Sequence, residues 1–123
     1  MDKTFLLLGS LAAFLAVAIG AFGAHGLRGR LSPEMMAVFQ TGVQYHMYHA
    51  LALILVAGTM GHMSGWLIQT AGWCFVAGIL FFSGSLYLLA VTGVTILGAI
   101  TPIGGLLFIL GWASLAAAFL GRR

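Results

Sequence analysis

From Met35 to Gly121 the chain runs 87 residues without a single Asp, Glu, Lys or Arg. No domain that faces water on its outside is built this way, because about a quarter of the residues in soluble domains are charged. The whole chain is 62% hydrophobic and 6% charged, so lipid is the expected solvent. Its seven charged residues, Asp2, Lys3, Arg28, Arg30, Glu34, Arg122 and Arg123, lie at the ends and in one loop. Basic residues placed there suit lipid headgroups and leave no continuous basic stripe for a nucleic-acid backbone, which excludes that partner class. Cys74 is the sole cysteine, sits in an apolar run and reads as a small core residue.

In hydrocarbon every backbone N–H and C=O must be paired within the chain, so each crossing needs a helix of about 20 residues. Four stretches suit this: Thr4 to Ala24, Pro33 to Met60, Trp66 to Val91 and Pro102 to Gly121. The first is longer than the ~7–15-residue core of a signal peptide and is expected to be retained as a span. The second opens with Ser32-Pro33-Glu34, an N-cap, an N1 proline and an acidic first-turn residue. Running to Met60 it exceeds the hydrocarbon thickness, so its opening PEMMAVFQTGVQ is expected to lie in the interface or to kink near Gly42. The fourth opens with Pro102 and ends at Arg122–Arg123, which suit a helix C-terminus at a headgroup layer.

Four spans put both termini on one face. Lys3, Arg122 and Arg123 there outnumber Arg28 and Arg30 on the other face, which favours cytoplasmic termini. Helices in lipid associate through close backbone approach, and small residues recur every fourth position at Ala12, Ala16, Gly20 and Ala24 and again at Ala113, Ala117 and Gly121. Those two seams either pack the four helices of one chain or receive a second chain. With so little interior in 123 residues, an oligomer is expected.

The scarce polar side chains sort to one side when the helices alternate in direction. His25 and Arg28 leave the first span; Gln44, Tyr45, His46, Tyr48 and His49 enter the second; Ser83, Ser85, Tyr87 and Thr101 lie on the same side. Polar groups at this depth are costly unless partnered. One reading is structural, with His49 and Tyr45 bonding each other or reaching Ser85 and Tyr87 across the helices. Three others are functional: conduction of protons or small polar solutes; haem or metal ligation by His25 with His46 or His49; and a lipid headgroup or quinone held between Arg28, His25 and the Tyr/Gln face. Neither Cys74 nor any serine has an identifiable base beside it, so nucleophilic catalysis is not expected.

Several motifs, GAFGAHGL (20–27), FQTGVQYHMYHALAL (39–53), FSGSLYLL (82–89), TPIGG (101–105) and GW (111–112), follow one another along nearly the whole chain. In this it resembles the domain of unknown function 423 family, YgdD/YwdK-like small bacterial inner-membrane proteins related to transmembrane protein 256. The resemblance implies a four-span protein of the bacterial inner (plasma) membrane and supplies no activity. The resulting expectation is an all-α integral membrane four-helix bundle, one domain over residues 1–123, whose second helix carries an interfacial N-terminal extension. It is expected to be a structural or accessory component without catalytic activity or cofactor, embedded in membrane lipid and joined to further copies or to a larger membrane complex.

Overall fold

The computed structural model describes residues 2–63 and 65–121, and 87% of them are helical with no strand among them. Ser64, in the expected short loop, and Arg122 and Arg123, expected at a headgroup layer, lie outside the described residues. Helix α1 covers Asp2–Gly26 and α2 covers Pro33–Thr59. The third rod is built from α3 (Trp66–Gly78), a π-helical turn (Ile79–Ser83) and α4 (Gly84–Thr92). A 3-10 turn (Thr95–Ala99) leads into α5 (Thr101–Leu120).

Local signals set several of these boundaries. Ser32 is extended (φ −64°, ψ 159°) and its hydroxyl accepts the Met35 N–H at 3.1 Å, as the Ser-Pro-Glu opening of α2 requires. α4 stops at Gly93, whose φ of +74° is left-handed and costs glycine nothing. α2 is an unbroken α-helix through Gly42. Gly42 serves instead for close approach, since a Cβ there would come within 2.9 Å of the Tyr87 ring.

Consecutive rods run antiparallel. α1 lies on α2, with Gly9 against Ala50 and Leu53 near one end, Gly20 against Val43, and Gly23 under the Phe39 ring near the other. The third rod packs on α5 in the same manner: Gly111 receives Phe75, Gly78 receives Phe108, and Gly104 lies on the backbone of Phe82. Each glycine removes a side chain where an aromatic ring, a branched side chain or a backbone must enter, which supplies dispersion contact that lipid chains cannot match. Phe5, Leu53, Val56, Ile68 and Phe75 are buried in the shared core.

Two expectations meet the structure only in part. Three helical stretches, Lys3–Gly26, Trp66–Thr92 and Thr95–Leu120, are long and apolar enough to cross a membrane, and the second of the four expected spans is not among them. α2 has the length, 27 residues, but Gln44, Tyr45, His46, Tyr48 and His49 dilute its apolar character at the middle. Two of them, His46 and His49, are among the nine residues that α2 buries against its neighbours. The second concerns the seams. Ala16 and its neighbours on α1 face α2 within the chain, whereas α5 packs through Gly104, Phe108, Gly111 and Leu115. Ala113, Ala117 and Gly121 are exposed on an adjoining face.

Candidate functional site

The polar side chains of α2 diverge to two sides of that helix. His46 and His49 are three positions apart, about 60° around the axis at 100° per residue, and each is buried against a different neighbour. His46 Nδ1 lies 2.8 Å from the Tyr87 hydroxyl of α4, and its ring sits beside the backbone of Ala12 on α1. Both residues line an apolar cleft of about 320 Å³ between α1 and the third rod.

His49 turns toward α5, and its tautomer follows from its partners. Nδ1 is 2.8 Å from the Tyr45 carbonyl, which only accepts, so Nδ1 carries the proton. Nε2 is then the acceptor, and it receives the Trp112 indole N–H at 3.0 Å. The neutral imidazole lies flat on Phe108, with centroids 3.6 Å apart and planes 6° from parallel. Both nitrogens and one ring face are therefore engaged by protein. Trp112 is eleven residues beyond Thr101, about 16 Å along α5 at ~1.5 Å per residue, so this bond sits near the middle of the rod.

A third set of bonds joins the π-helical turn to its neighbours. The fully buried Ser83 hydroxyl donates to the Gly42 carbonyl at 2.7 Å. Ser85 donates to the Phe82 carbonyl at 2.9 Å and lies 2.6 Å from the Thr101 hydroxyl. Since each hydroxyl has one proton, Thr101 is the donor in that pair and the bonds run Thr101 to Ser85 to Phe82. The widened turn brings Phe82 to α5 and Ser83 to α2, an arrangement of the kind that marks functional positions in other helices. Among the described residues, no buried side-chain nitrogen or oxygen lacks a hydrogen-bond partner.

The expected one-sided cluster is thus strung from the Ser85–Thr101 end of the molecule down to mid-length. His25 and Arg28 stand apart from it. His25 is exposed, and its Nδ1 donates to the Ala21 carbonyl of its own helix at 3.0 Å. Arg28 lines a separate cavity of about 410 Å³ with Gly29, Pro33 and Gln40. Gln44 is exposed and borders a smaller one of about 250 Å³ beside Gly20 and Gly23. The structure does not bring His25 into any group with His46 or His49, and it gives His49 no free nitrogen for a haem or a metal.

Between α2 and α5 lies the largest of these cavities, about 840 Å³, open to the outside and lined by Tyr45, Tyr48, His49, Phe82, Phe108 and Trp112 with smaller residues of α5. Among the described residues no charged one borders it. Tyr45 packs on Phe82 at 4.8 Å and edge-on to Tyr48 at 5.7 Å, and both tyrosines are substantially exposed, at 38% and 54%. Among the described residues neither phenol hydroxyl has a hydrogen-bond partner. Trp112 and Phe108 are the members of this wall that no spacing on α2 points to; only the GW pair signals the first in the sequence.

Comparison with known proteins places this geometry in a family without an assigned activity. The family described as a protein of unknown function, DUF423, matches residues 19–105. The UPF0382 membrane protein YwdK of Bacillus subtilis (strain 168) is 54% identical over 117 residues, covering 94% of this chain and 95% of its own. A UPF0382 membrane protein of Staphylococcus haemolyticus (strain JCSC1435) is 52% identical over 113 residues, 92% of each chain. No solved structure matches.

Proposed function

Because the chain belongs to the DUF423 family and is a membrane protein of unknown function, we propose that it crosses the bacterial inner membrane as a four-helix bundle and serves there as a non-catalytic structural or accessory component. The two termini lie on the cytoplasmic side. α2 crosses with the other three rods as its shield, which lets its histidines stay in the interior, and its first turns lie in the headgroup layer.

The observation that carries this reading is the saturation of His49, whose two nitrogens are both consumed in tying α2 to itself and to α5. Together with the His46–Tyr87, Ser83–Gly42 and Ser85–Thr101 bonds it forms a polar seam through the rods. Such bonds in lipid contribute about 0.5–2 kcal/mol each and set which helices meet. A conducting path would need these groups to face an aqueous passage. The Ala113, Ala117 and Gly121 face of α5 is exposed and offers a close backbone approach to a second copy or to a larger membrane assembly.

The test is site-directed crosslinking in native membranes from Ala117→Cys in a Cys74→Ala background. One dominant adduct of defined mass is expected. Recovery of monomer alone, together with a monomeric mass in detergent at every concentration, refutes the assembly role.

A further inference from the structure

We propose that the cavity between α2 and α5 is a binding site for a neutral lipid bearing a flat, carbonyl-substituted ring, of the prenylated quinone class. This inference does not rest on the assembly reading, although Ile109 and Trp112, which line the cavity, adjoin Ala113 on α5.

Four features select that chemistry. The volume, about 840 Å³, falls within the range of sites that enclose small organic ligands, ~300–1,000 Å³. Its walls are aromatic: Tyr45, Tyr48, Phe82, Phe108 and Trp112 offer faces and edges on which a planar ring stacks. The tyrosine hydroxyls supply donors that no protein atom among the described residues uses. A ring carbonyl would accept from them, and a saturated acyl chain would leave them bare. Trp112 does not compete, since its N–H is already given to His49.

Charge decides against the other membrane ligands. A phosphate headgroup calls for a cation, and none borders the cavity; Arg28 lines a different one. Depth agrees, because Phe108 and Trp112 lie seven and eleven residues into α5, about 10 and 16 Å from its start. Phosphates stay at the bilayer surface, whereas an uncharged ring partitions to that level. Access is lateral, from the lipid, through the open side of the cavity. Gly105 forms part of the floor, and a methyl there would make only ordinary contact with Phe82 at 3.8 Å, so larger residues at this position fill the cavity without disturbing the helix packing.

The test uses Trp112 as the reporter. In a Trp66→Phe, Trp73→Phe background, protein in phosphatidylcholine nanodiscs is titrated with decylubiquinone, whose ring quenches indole emission. Saturable quenching is expected. Tyr45→Phe with Tyr48→Phe should weaken half-saturation about tenfold, the effect of two neutral hydrogen bonds. Gly105→Leu should abolish saturation while far-ultraviolet circular dichroism stays unchanged. Quenching that rises in proportion to quinone in the bilayer, or that ignores the tyrosine substitutions, overturns the proposal. Equal displacement by decylbenzene, which has no oxygen, assigns the cavity to a hydrocarbon chain and also overturns it. So does disulfide formation between copies carrying Tyr48→Cys in the Cys74→Ala background, which makes the cavity a subunit interface.

Discussion

Replacing His49 and Trp112 by phenylalanine, singly and together, measures the bond that most directly ties α2 to α5. His49→Phe keeps an aromatic ring to stack on Phe108, now 3.6 Å away and 6° from parallel, and removes both nitrogens. The Tyr45 carbonyl retains its helical N–H, but the Trp112 indole loses its 3.0 Å acceptor halfway along α5, where lipid offers no replacement. Trp112→Phe does the converse and leaves Nε2 as a bare acceptor in a buried ring. Leaving one partner unsatisfied costs about 1–3 kcal/mol in general, reduced within membranes because the unfolded chain also finds partners, so each single change should cost about 1–2 kcal/mol. The double variant replaces both groups by apolar ones and should recover about 0.5–1.5 kcal/mol of the summed loss. Reversible unfolding by sodium dodecyl sulfate in mixed micelles, followed by far-ultraviolet circular dichroism, reads all four corners of the cycle. Additivity within about 0.3 kcal/mol would refute the claim that this hydrogen bond joins the helices.

Other substitutions probe the remaining contacts. Gly104→Val inserts side-chain atoms where Phe82 Cα and Cβ lie only 2.7 Å from an added Cβ, so α5 must move off the π-helical turn; a loss of about 3 kcal/mol or failure to yield monodisperse protein is expected by size-exclusion chromatography. Ser32→Ala removes the cap of α2 and should lower stability by about 1 kcal/mol in the same unfolding assay, with Ser32→Asp restoring it. Ala117→Leu, on an exposed face, should leave monomer stability within about 0.5 kcal/mol while reducing any crosslinked adduct formed through that face.

Much of the architecture was legible because the medium is so restrictive. An 87-residue stretch without Asp, Glu, Lys or Arg, carrying apolar runs of about 20 residues, points to membrane helices, and Ser32-Pro33-Glu34 marks the start of α2 to the residue. On α1 the stripe of small residues meets α2 in part, with Ala16 buried and Gly20 against Val43 but Ala24 exposed, while Gly9 and Gly23 outside that stripe also make close approaches. On α5 two stripes of small residues share the helix, and periodicity does not say which one meets a neighbour within the chain and which is left exposed. The π-helical turn left no sequence mark either. Its contacts are tertiary: Gly104 lies against Phe82, and the Gly42 carbonyl accepts from Ser83.

What the amino-acid order determined alone is therefore the solvent, the helices and the identity of the few groups able to hydrogen-bond. Which of those groups face one another was decided by the tertiary structure. His46 and His49 look like one pair along the chain, yet a 60° rotation sends one to Tyr87 and the other to Trp112, sixty-three positions away. Helical periodicity specifies directions around a single axis, and only the packing of several axes turns those directions into partners.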